Sequence, residues 1–315
     1  MRIIFCGTPE FAVPSLHELL AAPDIRVEAV ITQPDRPRGR GQRVQSSPVR
    51  ETALAAGLHV FQPEKIRSDS AFEFLERVSP DAVVIIAYGQ IVPQRMIDIP
   101  RFGWINLHGS LLPKYRGAAP IQRAILAGET HSGLTTMQVD VGLDTGPTLL
   151  RWETQIGPDE TSPELSSRMA QAGAPLLLQT LRKLNHGELT PVLQDHSQAS
   201  PAPLLKRKEA RINWSLPSQQ IYNHIRALQP WPGSVTTFRG RSCHITGRPA
   251  PKGLPRDAAA CPGLLLASGS HLLVHCGMGT WLALDSVKLE GRKRVSGREF
   301  VNGVRLQPGE CFVSG

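Results

Sequence analysis

The sequence predicts an α/β fold with a mostly parallel sheet, followed by a small antiparallel sheet or barrel. Short apolar runs at 2–6, 27–31, 82–86 and 104–108 have strand length, and helical patterns separate most of them. A Pro-, Ser- and Gln-rich stretch, HGELTPVLQDHSQASPAPLL, then occupies about 186–205. Past it the texture changes to short strand-like segments divided by Gly-containing turns. At 315 residues the chain suits two cores better than one. The expected division is a first domain over 1–188, a linker over 189–205 and a second domain over 206–315.

The elements follow in order. MRIIFCGTPEF reads as a first strand ending near Gly7, because its apolar stretch is too short for a secretory h-region. Thr8 and Pro9 then either cap the first helix or contact a ligand. Ser47-Pro48 opens a helix that Gly57 can close. Thr161 and Glu164 form a possible capping box before a long helix with Leu165, Met169, Leu177, Leu181 and Leu184 on a helical repeat. Gly187 suits its terminus, and Pro175 is expected to kink or split it. In the second domain Ile221, Ile225 and Leu228 mark one helix face. SVTTF, SCHIT, GLLLA, HLLVHC and WLALDSV read as strands.

Composition narrows the class. Apolar residues make up 41% and charged residues 20%, and no apolar run approaches the roughly 20 residues that span a bilayer. Five cysteines, an odd number with no CxxC pair, fit a reduced cytoplasmic protein without a disulfide framework or thiolate metal site. The net charge of +8 is unevenly spread. Residues 206–315 hold 16 Lys and Arg against 6 Asp and Glu, a net +10, while 1–205 carries a net −2. Such a split suits a polyanion partner, or simply a solvated basic surface.

The densest chemistry lies at 104–146. Asn106 and His108 sit two apart in a strand pattern and so share a face. Asp144 follows in the Gly-flanked VGLDTG loop. Two polar side chains on one face of a buried strand need partners, since an unsatisfied polar group costs roughly 1–3 kcal/mol. At the C-terminal end of a central strand, where α/β sheets bind ligands, they read as a site. An amide donor, an imidazole and a carboxylate together equip acyl transfer without a covalent intermediate. Other motifs are missing or ambiguous. FCGTPEF lacks GxGxxG, and no GxxxxGK occurs, which disfavours the standard dinucleotide and P-loop folds. His271, His275 and Cys276 follow strand alternation and lack companion metal ligands. DRPRGRGQR presents Arg36, Arg38, Arg40 and Arg43 in a stretch too irregular for helix or strand. It is either a phosphate-contacting loop or a solvated one.

FCGTPEFAVPSL, TQPDRPRGRGQ, AYGQIVP, INLHGSLLPKYRGAAPIQRAI, QVDVGLDTGP and EARINWSLPSQQIYNHIRALQPWPGS resemble the bacterial methionyl-tRNA formyltransferase family. The match is strong from residue 1 to about 235 and looser through DSVKLEGRK and PGECF. The central block alone resembles the wider superfamily that uses N10-formyltetrahydrofolate. The arginine loop and the EARINW…WP segment narrow it. Cys6 stands where the family more often has a small residue, and Asn213 replaces an Asp.

The resemblance implies a Rossmann-like catalytic domain joined to a C-terminal β-barrel resembling an OB-fold. It implies a triad of Asn106, His108 and Asp144. A folate site follows from Ser110, Leu111, Leu112 and Pro113, the backbone from Ile86 to Val92 including Tyr88 and Gly89, and the loop around Asp140. The family's inserted loop at 34–44, with Arg36, Arg38, Arg40 and Arg43, would meet the tRNA acceptor end. Lys206, Arg207 and Lys208 would add basic contacts. The implied reaction moves the formyl group of N10-formyltetrahydrofolate to the α-amino group of initiator methionyl-tRNA through a non-covalent tetrahedral species, with no metal, no membrane and a monomeric chain. An amino-sugar nucleotide formyltransferase and a formyltetrahydrofolate hydrolase are the rival enzymes. A noncatalytic RNA-binding protein is the rival from another class.

Overall fold

In the computed structural model, which describes residues 1–38, 43–251, 261–269 and 271–314, the chain divides into two compact units. The first comprises Met1–Ile121, His131–Gln155 and Glu164–Leu204, and the second Gln122–Thr130, Ile156–Pro163 and Leu205–Gly315.

The first 185 residues form β1 (Arg2–Gly7), α1 (Val13–Ala21), β2 (Arg26–Ile31), β3 (Arg36–Arg38), β4 (Arg43–Gln45), α2 (Pro48–Ala55), β5 (Val60–Phe61) and α3 (Asp69–Val78). They continue with β6 (Ala82–Ile86), α4 (Gln94–Ile97), β7 (Trp104–His108), α5 (Pro120–Ala127), β8 (His131–Gln138), β9 (Thr148–Gln155) and α6 (Ser162–Asn185). The main sheet runs β5-β2-β1-β6-β7-β8-β9. It is parallel from β5 to β7 and antiparallel through β8 and β9. Nearly every residue of β1 and β6 is buried, as expected of parallel strands covered on both faces.

Local chemistry sets the helix ends. The Ser47 hydroxyl accepts from the Arg50 amide at 3.1 Å and caps α2. Past α6, the Gly187 amide donates to Leu184 and the Glu188 amide to Lys183, a Schellman closure with Gly187 at φ +69°. Leu165, Met169, Leu177, Leu181 and Leu184 of α6 are buried, as their spacing requires. Gly173 lets α6 approach β7 and β8, since a Cβ there would lie 2.7 Å from the Leu107 side chain and 3.2 Å from that of Leu134. The helix thus backs the strand that carries Asn106 and His108.

Two expectations are corrected. Pro175 does not split α6, which runs as one helix from Ser162 to Asn185. The ring is on the exposed side, and burial of the apolar stripe around it outweighs the lost hydrogen bond. The arginine stretch is more regular than its composition suggests. Arg36–Arg38 and Arg43–Gln45 form an antiparallel ribbon with Arg36 opposite Gln45. Proline is tolerated there because a two-stranded ribbon has free edges.

The segment 189–204 is bonded to the first unit. Val192 pairs with Thr148, and Ala202 exchanges backbone bonds with Arg116 and Ala119.

The second unit adds α7 (Ser218–Ala227), β10 (Val235–Phe238), β11 (Arg241–Pro249), β12 (Leu265–Ser268), β13 (His271–Cys276), β14 (Thr280–Leu289), β15 (Val295–Ser296) and α8 (Gly297–Val304). Its antiparallel sheet is ordered β10-β11-β14-β13-β12, with β15 on β14. Ile221 and Ile225 of α7 join Trp214, Phe238, Leu272, Leu284, Phe300 and Phe312 in one core. The 5% exposed Arg226 binds Asn223 Oδ1 and the carbonyls of Gly157 and Glu160, holding the 156–163 segment within this unit.

Candidate active site

β7 lies inside the main sheet, paired with β6 and β8, and presents Asn106 and His108 from one face. Asp144 reaches them from the loop between β8 and β9. The Asn106 amide donates to Asp144 Oδ1 at 3.3 Å, and His108 Nδ1 lies 3.6 Å from Asp144 Oδ2. His108 is 6% exposed and the Asp144 side chain 15%, so water only partly screens the carboxylate. His108 Nε2 is 2.9 Å from the Tyr115 carbonyl. A carbonyl can only accept, so Nε2 carries a hydrogen, and Nδ1 faces Asp144.

The carboxylate is fixed from several directions. The Gly117 amide donates to Asp144 Oδ2 at 2.8 Å. The Gln194 side-chain amide donates to the carbonyls of Asp144 and Gly146 at 2.9 and 2.7 Å. Asp140 Oδ1 accepts from the Gly142 amide and the Thr145 hydroxyl, tightening the start of the loop. Asp144 itself sits at φ +52°, a left-handed conformation that non-glycine residues adopt only when the surroundings impose it.

The structure therefore brings Asn106, His108 and Asp144 together. The predicted folate residues divide into two sets. The side chains of Ile86, Tyr88, Val92, Ser110 and Leu112 are buried. Ser110 donates to the Lys114 carbonyl, and the Thr135 hydroxyl links the Ser110 carbonyl to the Leu112 amide. Leu111, Pro113, Gly89 and Asp140 are partly or fully open to solvent, with Val141 and Leu143 exposed beside Asp140. Burial pushes the Tyr88 phenol up, and its oxygen has no hydrogen-bond partner.

Arg36 is exposed on its ribbon and borders a cavity of about 580 Å³ lined also by Thr8, Gln33, Lys65, Arg67 and Gln90. Gln33 anchors this wall, donating to the Tyr88 carbonyl and accepting from the Gln90 amide. Thr8 lines this cavity, and its hydroxyl accepts from the Gln33 amide at 3.4 Å. Arg38 and Arg43 hold strand positions in the ribbon, and Arg40 lies outside the described residues. Lys206, Arg207 and Lys208 are exposed at the start of the second unit's main segment. Among the described residues no group of three or more His, Cys, Asp or Glu is placed to hold a metal. No helix among them is long and apolar enough to cross a membrane.

Sequence reasoning assigned no role to Tyr115, Arg116, Gly117 or Gln194. The first three lie inside the KYRG run that closes the β7 loop, but they act through backbone groups or through Gln194, which leaves no residue-type signal. Gln194 sits in a polar stretch that composition reads as a connector.

Residues 1–181 match the family model described as formyl transferase, and 204–305 match the formyl transferase C-terminal domain. The chain is 51% identical over its whole length to the methionyl-tRNA formyltransferase of Solibacter usitatus (strain Ellin6076), covering 99% of that protein. It is 47% identical to that of Acidobacterium capsulatum, over 98% of each chain. The chain belongs to the methionyl-tRNA formyltransferase family. The fold of these formyltransferases recurs at much lower identity. A sugar 3N-formyl transferase, WlaRD, solved in the presence of dTDP and 5-N-formyl-THF, superposes with TM-score 0.67 at 18% identity over 93% of this chain and 99% of that one. The Clostridium thermocellum methionyl-tRNA formyltransferase gives TM-score 0.55 at 16% identity over 80% and 94%.

Proposed function

We propose that this chain transfers the formyl group of N10-formyltetrahydrofolate to the α-amino group of initiator methionyl-tRNA, acting as a monomer. The observation that carries the reading is the convergence of Asn106, His108 and Asp144 at one strand end, in a chain similar along its whole length to methionyl-tRNA formyltransferases. The lining suits a flat heteroaromatic ring. Val141 and Leu143 offer apolar surface, Asp140 a carboxylate, and Ala87, Gly89 and Ile91 exposed positions around the buried Tyr88. When bound, the folate supplies a formyl carbon open to attack by an amine.

Asn106 has a second N–H beyond the one directed at Asp144. It donates to the formyl oxygen as negative charge develops there, and removing such a donor typically costs about 10²–10³ in rate. His108 takes the amine's proton at Nδ1 while its Nε2–H stays on the Tyr115 carbonyl. Asp144 then faces an imidazolium and offsets its charge. The proton can pass from Nδ1 to the departing nitrogen.

The acceptor is selected elsewhere. Arg36, Arg38, Arg40 and Arg43 in the first unit, and Lys206, Arg207 and Lys208 in the second, would contact tRNA phosphates. The division into a catalytic domain over 1–188, a linker over 189–205 and a tRNA-binding domain over 206–315 belongs to the same reading, as does action in the cytoplasm. An amino-sugar nucleotide would not need the arginine ribbon or the +10 of 206–315. The test supplies labelled N10-formyltetrahydrofolate with initiator methionyl-tRNA, an amino-sugar nucleotide, or water alone. Label on the tRNA is expected. Label on the sugar, or release as formate at the same rate without acceptor, would overturn the reading.

A further inference from the structure

Cys6, Cys243 and Cys276 are fully buried, whereas Cys261 is exposed and Cys311 half-buried, with their sulfurs 3.4 Å apart across 50 residues of sequence. Backbone bonds that do not involve the thiols hold them there. Cys261-Pro262-Gly263-Leu264 is a tight turn closed by the Leu264 amide on the Cys261 carbonyl at 3.1 Å. Gly263 at φ +93° takes the position that a type II turn reserves for glycine. The Phe312 amide bonds Gly263 and the Leu265 amide bonds Glu310, clasping the turn to the C-terminal segment. Phe312 is anchored in the core against Trp214.

We propose that Cys261 and Cys311 are a reversible oxidation site whose oxidant is a hydroperoxide. Cys261 gives up its thiol proton, and its exposed thiolate attacks a peroxide oxygen; the O–O bond breaks, the sulfur becomes a sulfenic acid, and the departing hydroxide or alkoxide takes up that proton and leaves as water or alcohol. The Cys311 sulfur then attacks Cys261 sulfur and displaces hydroxide, which leaves as water with the Cys311 proton. Two thiols are oxidised by two electrons and the peroxide is reduced by two. Burial and the neighbouring Cys261 push the Cys311 thiol up to about 11, so Cys311 stays protonated while the exposed Cys261 meets the oxidant first.

The experiment treats the full chain with hydrogen peroxide, alkylates the remaining thiols and maps the peptides. Loss of two hydrogens, one linked Cys261–Cys311 peptide, reversal by dithiothreitol and a rise in the unfolding midpoint of roughly 5 °C are expected. Cys261→Ser and Cys311→Ser should each abolish the link. Oxygen added at Cys261 without the linked peptide, unreacted thiols, or linkage to another cysteine would overturn the proposal.

A second observation stands apart. Gln194 is 6% exposed, and its Oε1 accepts from Arg116 Nε and Nη2 at 3.1 and 2.7 Å while its amide holds the Asp144 and Gly146 carbonyls. The residues next to Arg116 supply the carbonyl on His108 and the amide on Asp144. The geometry points to Gln194 as a positioning residue that ties both loops of the triad, an inference that rests on the proposed catalytic reading. Gln194→Ala and the isosteric Gln194→Glu should lower kcat about 10- to 100-fold with both KM values within twofold. The pH profile of kcat should shift as Asp144 moves relative to His108. If His108→Ala abolishes turnover while both Gln194 variants keep normal kcat and pH profile, the positioning role is wrong and the catalytic reading survives. If His108→Ala turns over normally, the catalytic reading itself fails.

Discussion

The two units use polar residues in opposite ways. In the first, Asn106, His108 and Asp144 are drawn inward: Asn106 donates to the Asp144 carboxylate, His108 meets the Tyr115 carbonyl, and Asp144 accepts from the Gly117 amide. In the second, most charge stays outside, as in the exposed Lys206–Lys208 run, while the core is apolar and aromatic. Among the described residues the buried Arg226 departs from this, joining segments through the Gly157 and Glu160 carbonyls. An inward polar cluster at a strand end suits chemistry on a small group, and an outward basic excess suits a large anion whose grip depends on salt.

The sharpest break of this contrast is a substitution that removes chemistry and leaves the fold. Asn106→Ala and His108→Ala should each lower formyl transfer at least about 10²-fold, with melting curves near wild type, read by labelled-donor kinetics and circular dichroism. Near-normal turnover by either would remove the proposed site. The converse is Arg226→Ala. It strips three acceptors of a buried donor and should destabilise the second unit by about 3 kcal/mol in denaturant unfolding, while activity per folded molecule at low temperature persists.

A smaller effect tests the outward charge. Replacing Lys206, Arg207 and Lys208 together with Ala should raise KM for tRNA and flatten its logarithmic salt dependence by about 2–3, without changing folate binding. The smallest expected effect concerns pH. Burial holds the His224 pKa below its ordinary value, and its Nε2–H donates to the Glu209 carbonyl. The unfolded chain therefore takes up that proton first. The stability linked to neutral His224 is complete above about pH 6.5 and declines as pH falls toward the lower folded value. The midpoint measured from pH 7 to 5 should drop, and His224→Gln should flatten the slope.

Much of this was legible along the chain because it rests on short-range rules. The period of two placed Asn106 and His108 together, Ser47 announced the cap of α2, and the leucine spacing of α6 foretold its buried face. Gln194 left no such trace, because its value lies in bonds to Asp144, Gly146 and Arg116, up to 78 residues away. The sulfur pair is invisible for the same reason. Pro175 did not split α6 because local preference is one hydrogen bond against the burial of a whole helix face. The arginine ribbon misled because pairing between strands is not written in either strand alone.

The sequence by itself determined the α/β character of the first part and the strand-rich character of the second, the basic excess of 206–315, the resemblance to a formyltransferase and the identities of the three groups at the proposed site. Periodicity, capping and residue chemistry act over a few residues and can be read in one dimension. Only the tertiary structure decided that Asp144 reaches both partners from a left-handed turn, that a glutamine from the supposed connector holds it there, and that 122–130 and 156–163 group with the second unit. Those outcomes depend on distances between chain segments far apart in sequence, which packing alone sets.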